Sequence, residues 1–154
     1  MQHSAGIIPY KFDDDEIKFF LGHPGGPMNK NKDYWALLKG TMENGEDVLE
    51  TAIREFQEES GLRLDTDRVK EHLWLVGTIK QRKDKIVTAY AMEVDDIDPK
   101  KCFSNMVPDE GFPEMDKYGW FTMDEVRKVS LKSNIWFYEE ILYKLGIADE
   151  DCQE

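Results

Sequence analysis

The feature that most constrains this 154-residue chain is the segment from Asp47 to Ser60. Val48, Leu49, Ala52, Ile53 and Phe56 recur at the spacing of one helix face, which predicts an amphipathic α-helix buried on one side. Asp47, with Glu50 three residues on, forms a capping box at its start. Gly61 stands where a helix closes in the left-handed conformation. Opposite the apolar stripe, Glu55, Glu58 and Glu59 share a face at i, i+3 and i+4. Like charges at that spacing cost about 0.2–0.5 kcal/mol per pair. Glu58 and Glu59 also occupy the last turn, the negative end of the helix dipole, where carboxylates are disfavoured. Two local rules are broken at one place, which is a pattern of functional sites. A hard divalent cation relieves both penalties, and clustered carboxylate oxygens suit Mg²⁺ or Mn²⁺. Read alone, the same helix also carries an i, i+4 ladder of Glu50, Arg54 and Glu58, an ordinary solvated face with no chemistry.

Around this helix the pattern is β-rich. Ser4–Tyr10 and Glu16–Gly22 read as strands, with Asp13-Asp14-Asp15 as the hairpin turn between them. His23–Pro27 breaks the second run and opens a polar loop to Asp33. Further strands are expected at Tyr34–Leu38, Val69–Lys80, Lys85–Val94 and Tyr118–Phe121. Asp95–Lys117 has no clear periodicity, and loops that long are often functional. Thr122 with Glu125 caps a short helix, and Ile135–Leu145 is a final amphipathic helix closed by Gly146. This order implies an α/β (α+β) fold, a mixed sheet with helices packed on it. One domain over residues 1–154 is expected, with an acidic tail from about residue 148.

Twenty basic residues against 32 acidic ones give a net charge of −12. That argues against a nucleic acid polymer or an anionic membrane as partner. The chain has no long apolar run and no basic leader, so neither a membrane span nor a signal peptide is expected. Cys102 and Cys152 are too few for a disulfide framework or a thiolate zinc site, and a cytoplasmic location is the expectation.

The full spacing reads Gly40, five residues, Glu46, seven residues, Arg54-Glu55, an apolar residue, one residue, Glu58-Glu59, one residue, Gly61, an apolar residue. From average residue usage, a chance match in such a chain is on the order of one in ten million. The segment resembles the Nudix box, complete at every fixed polar and glycine position. Phe56 departs from the family, which usually has an aliphatic residue there; this bears on packing, not on ligands. The order of elements is also similar to the Nudix-like α/β/α sandwich with its mixed β-sheet.

The resemblance implies an enzyme that hydrolyses a pyrophosphate bond in a nucleoside diphosphate-linked substrate, assisted by Mg²⁺ or Mn²⁺. Carried over residue by residue, it makes Glu55, Glu58 and Glu59 metal ligands, one of which, Glu55 the first choice, helps to deprotonate the attacking water, with Glu58 also counted as catalytic. Arg54 orients these carboxylates, Glu46 supports the loop–helix junction, and Gly40 marks a turn where a side chain would clash. A further acid from a later loop is implied. Glu110, Glu114 and Asp116 are the candidates, and Glu114, just before the Tyr118–Phe121 strand, is the choice as metal ligand and catalytic residue.

For the substrate, Lys30 and Lys32 precede the box, while Lys80, Arg82, Lys83 and Lys85 cluster at the second hairpin. Either set offers phosphate contacts. Tyr34, Trp35 and Trp74 offer rings for a base. His3, His23 and His72 have no sequence partner that suggests nucleophilic catalysis. The expected substrate is a small-molecule nucleotide: a nucleoside polyphosphate, an oxidised nucleotide or a dinucleoside polyphosphate. The region past the box where subgroups differ reads Gly77-Thr78-Ile79-Lys80. It has neither the proline of the ADP-ribose subgroup nor the tyrosine of the diadenosine polyphosphate subgroup. Oligomeric state stays open between monomer and homodimer. The alternative is a non-catalytic module that senses a nucleotide or binds a partner; such modules usually lose box glutamates, and this chain keeps them all.

Overall fold

The computed structural model describes residues 1–148. The expected acidic tail, with Cys152, lies outside the described residues. The sheet is organised around β1 (Gln2–Asp13), which takes partners along both edges. Along one edge it pairs in parallel with β5 (Lys85–Glu93), from Gln2↔Lys85 to Tyr10↔Glu93. Along the other edge its first half pairs antiparallel with β3 (Leu38–Thr41) and its second half with β2 (Glu16–Pro24). β4 (Leu73–Arg82) continues the sheet beyond β5, and β6 (Met115–Phe121) beyond β2, in the order β4-β5-β1-β2-β6.

Helices cover both faces, so β1 is apolar almost without alternation, as a strand buried on both sides must be. Ala5 and Ile7 point to one face and pack with Ala52, Ile53 and Phe56 of α1 (Val48–Ser60). Ile8 and Tyr10 point to the other, where Val126 of α3 (Met123–Val129) and Phe137, Tyr138, Ile141 and Leu142 of α4 (Lys132–Leu145) close the second core. The result is an α/β/α sandwich. Phe56 is fully buried, so the aromatic departure is absorbed by packing. Among the described residues no helix is long and apolar enough to cross a membrane.

Most local expectations hold. Asp14 and Asp15 take positive φ angles of 51° and 67°, the backbone a two-residue hairpin turn requires. Both capping boxes form, at Asp47/Glu50 and Thr122/Glu125. Three expectations are corrected. Val69 does not begin a strand. It is the one buried residue of a short helix, α2 (Thr66–His72), and β4 starts only at Leu73. A single apolar residue among charged neighbours satisfies a helical turn as well as a strand. The strand expected at Tyr34–Leu38 lies at Leu38–Thr41 instead; before it, only Ala36 bridges Gly22. Gly40 therefore sits within a strand rather than a turn. The segment after Asp95 is not wholly irregular: Asp98 caps a 3-10 turn at Pro99–Lys101, and β6 begins at Met115.

Candidate active site

α1 presents its carboxylates where the chain behind it comes closest. Arg54 is the hub. Its Nε donates to Glu46 Oε2 at 2.6 Å, and its Nη1 donates to Glu55 Oε1 at 2.9 Å and to Glu58 Oε2 at 3.1 Å. Its Nη2 donates to the Thr41 carbonyl at 3.0 Å and to Glu46 Oε1 at 3.1 Å. Glu46 also accepts from the Thr51 hydroxyl at 2.8 Å and from the Glu43 amide at 3.0 Å. The Arg54 guanidinium and these donors hold the Glu46 carboxyl down at about 2. One planar cation thus ties β3, the loop before α1 and two helix carboxylates together.

Glu55 and Glu59 lie deeper. Burial raises the Glu55 carboxyl above its ordinary value, and the Arg54 charge opposes that rise. Glu59 is 4% exposed. Burial, and then the Glu55 carboxylate beside it, push it well above the ordinary range. The Glu55 charge thus adds to the demand of Glu59 for a proton, and Glu59 Oε1 is buried with no hydrogen-bond partner. A buried carboxylate oxygen without a partner is costly. No group of three acidic, imidazole or thiol side chains converges on a common point among the described residues, and Arg54 pairs with Glu55 and Glu58. The chemistry of the donor set nonetheless fits a hard divalent cation. It is all oxygen, it carries an orphaned buried acceptor, and it sets two neighbouring carboxyls against each other, a repulsion that a cation relieves.

The end of α1 fixes the rest of the site. The last four carbonyls of a helix lack intrahelical partners. Here Gln57 O accepts from the Gly61 amide at 2.9 Å, Glu58 O from the Asn105 amide at 2.8 Å, Glu59 O from the Tyr118 hydroxyl, and Ser60 O from the Phe103 amide at 3.1 Å. The long segment after Asp95 thus serves as the helix cap. Asn105 O in turn accepts from the Glu114 amide at 2.9 Å, and Glu114 O from the Gly25 amide at 2.9 Å. This backbone relay brings Glu114 to α1, where its charge acts on Glu59. Glu110 is exposed in the turn preceding it. Asp116 is engaged elsewhere, its Oδ1 2.7 Å from His23 Nδ1. His23 is buried, and its Nε2 lies 2.7 Å from the Lys32 carbonyl, so it anchors the 24–33 loop.

The side chain that the sequence reading passed over is Lys39. Its Cβ lies over Gly6 of β1, within reach of the charges of Lys85, Glu59 and Glu55, and burial, aided by the Lys85 charge, lowers its ammonium to about 8. Its sequence signal was the position directly before Gly40, but its partner Lys85 is distant in the chain and arrives only through the sheet. The other substrate candidates are not joined to the carboxylates. Lys30 and Lys32 are exposed on the loop that His23 anchors. Arg82 is exposed at the end of β4 and pairs with Asp84 at 3.4 Å. Tyr34 lies near Tyr138, and Trp35 tilts against Phe121 with ring centroids 4.7 Å apart. Both belong to the α3–α4 side of the sheet, opposite α1. Trp74 packs edge-on to Tyr10 on that same side.

The sandwich and its carboxylate helix define the class of protein. The family profile described as NUDIX domain matches residues 2–145, and the chain belongs to the Nudix family. It is a Nudix-type pyrophosphohydrolase, acting on phosphoric anhydride bonds. Among its relatives is the asymmetrical bis(5′-nucleosyl)-tetraphosphatase of Rattus norvegicus, 31% identical over 120 residues, which are 77% of this chain and 73% of that one. In fold it is similar to a Caenorhabditis elegans Ap4A hydrolase in a binary complex, with a TM-score of 0.72 and 19% identity over 95% of this chain and 98% of the other. It is also similar to the NUDIX domain of Shewanella oneidensis NrtR complexed with ADP ribose, with a TM-score of 0.66 and 13% identity over 93% and 87% of the two chains.

Proposed function

We propose that this protein hydrolyses a dinucleoside polyphosphate, a tetraphosphate first among them, with the help of a divalent cation. The observation that carries the reading is the Glu55–Glu59 pair, Glu55 held by Arg54 and Glu59 buried with one carboxylate oxygen left without a partner. Glu55, Glu58, Glu59 and Glu114 are the residues that would hold Mg²⁺ or Mn²⁺. Bound there, the cation supplies neutralisation of the phosphate oxygens and a more acidic water.

The chain's own groups do the rest. Lys39 and Lys85 hold the phosphate chain from the β-sheet side through their ammonium charges. Glu55 accepts the proton of the attacking water at its carboxylate, which Arg54 keeps in position. The water oxygen forms a bond to phosphorus as the bridging P–O bond breaks, and the departing phosphate takes the electron pair. The rat relative acts on a bis(5′-nucleosyl) tetraphosphate by its name, and this supports that substrate class over a single nucleotide. The region Gly77–Lys80 lacks the subgroup tyrosine, so the choice of substrate class rests on the rat relative, with Lys39 and Lys85 assigned to the phosphate chain.

The test is a substrate panel scored by product release. It spans dinucleoside polyphosphates, nucleoside triphosphates, 8-oxo-dGTP, ADP-ribose and sugar nucleotides, with Mg²⁺ or Mn²⁺ and again with chelator. The expected result is metal-dependent cleavage, fastest on a dinucleoside tetraphosphate. Turnover that survives thorough chelation, or confined to ADP-ribose, would overturn the reading.

A further inference from the structure

The segment from Phe103 to Asn105 runs along the end of α1, held there by the amide bonds to Ser60 O and Glu58 O. Between this segment and the helix lies a groove of about 520 Å³, lined among others by Arg54, Glu58, Gly61, Arg63, Phe103 and Asn105. That volume is in the range of small-ligand sites. Phe103 is 68% exposed, unusual for an aromatic ring held by a structured backbone. A Cβ at Gly61 would meet three of its ring atoms at 2.7–2.9 Å, so the ring rests on the bare glycine and its remaining surface is open to the groove. Arg63 is exposed and has no hydrogen bond or ion pair among the described residues, in a chain of net charge −12 whose other groove arginine, Arg54, is fully engaged. The groove shares Glu58 and Arg54 with the carboxylate site, while Lys39 is close enough for the charges of Glu59, Glu55 and Lys85 to act on it.

We propose that this groove is a subsite for a nucleoside monophosphate unit, the end of a dinucleoside polyphosphate that lies beyond Glu58. The base stacks on Phe103, Arg63 takes the phosphate, and the Asn105 side-chain carboxamide reaches the base edge. A polyphosphate crossing the carboxylates then meets a basic group on each side, the lysine pair at one end and Arg63 at the other. Phe103 and Arg63 set specificity for a two-ended substrate. The inference rests on the hydrolytic reading above for its choice of occupant.

Two measurements test it. The first is KM and kcat for a dinucleoside tetraphosphate with the native protein and with Phe103→Ala, Phe103→Trp and Arg63→Ala. Phe103→Ala is expected to raise KM about tenfold while kcat stays within about twofold, and Phe103→Trp to restore KM. Arg63→Ala is expected to raise KM and to weaken its dependence on salt. The second is calorimetric titration of the metal-free protein with adenosine monophosphate, whose affinity should fall by a similar factor in Phe103→Ala. Because Phe103 is exposed, an unchanged melting temperature separates loss of the site from loss of the fold. Native KM and native affinity in Phe103→Ala would overturn the subsite, as would a loss confined to kcat. If the native protein cleaves no dinucleotide yet binds the monophosphate through Phe103, the groove stands and the hydrolytic reading fails.

Discussion

A Cβ on Gly40 would lie 2.0 Å from the carboxyl carbon of Glu55. The space vacated by one residue's missing side chain is the space occupied by the other's carboxylate. β3 and α1 approach this closely because Arg54 bonds the Thr41 carbonyl while holding Glu55.

Gly40→Ala follows from that contact. Residue 40 has no positive φ, so the effect is steric rather than conformational. The variant is expected to fold with a loss of about 1–3 kcal/mol. Its turnover should drop by about 10²-fold, since a displacement near 1 Å at a reacting group has that effect. Thermal unfolding and kcat read the two separately, and native turnover would break the link between Gly40 and Glu55.

Arg54→Lys keeps the charge but loses the fork. A single ammonium cannot reach Glu46, Glu55, Glu58 and Thr41 O together. The expected outcome is a kcat lowered by about 10–100-fold with KM nearly unmoved. The same ion pair has a pH signature. Glu46 sits at about 2 when folded against an ordinary 4.5. A depressed acid contributes stability that is complete above its unfolded value and lost as pH falls through the folded one. Urea unfolding between pH of about 5 and 2 should lose stability steadily in the native protein. Glu46→Gln should flatten that slope.

Glu59 works in the opposite sense. Its raised carboxyl means that the folded state holds the proton more tightly than the unfolded chain. Without metal, its contribution to stability therefore falls as pH rises above the ordinary 4.5. Glu59→Gln is expected to melt higher than the native protein at a pH of about 8 in chelator. Added Mg²⁺ should raise the native melting temperature and leave that of Glu59→Gln almost unchanged. A native-like Mg²⁺ response in Glu59→Gln would remove Glu59 from the ligand set.

Lys39 ties phosphate binding to pH. Its ammonium is lowered to about 8, so a rising pH removes the charge just above neutrality. kcat/KM should fall through a pKa of about 8, because that ratio reports the unliganded protein. kcat at saturating substrate should fall later, since a bound phosphate favours the charged form. Lys39→Gln should abolish the alkaline limb and raise KM. A limb that persists unchanged in this variant would reassign it to another group.

Structure is legible in the sequence where the physics is local. The helix, its capping box, its glycine stop and its carboxylate face all lie within a few residues of one another, so period and cap chemistry suffice. The hairpin at Asp14-Asp15 and the box at Thr122/Glu125 were legible for the same reason. Errors arose where a short run was compatible with two structures. Val69 stood alone among charged residues, and Tyr34–Leu38 looked like a strand although its hydrogen-bonding partner, β1, begins to pair at Leu38.

By itself the sequence determined the chemistry of α1: three carboxylates on one face, an arginine to organise them, and a helix that starts at Asp47 and stops at Gly61. Those facts depend only on spacing along one helix. Tertiary structure alone decided what surrounds them. The parallel pairing of β1 with β5 and its antiparallel pairing with β3 bring Lys85 beside Lys39. The need to satisfy four open carbonyls at the end of α1 draws in residues 103–118, and with them Glu114 and Phe103. Tyr34 and Trp35, close to the box in sequence, are carried to the opposite side of the sheet. Hydrogen bonds between distant segments have no period to read, and so the partners of the box appear only when the sheet is assembled.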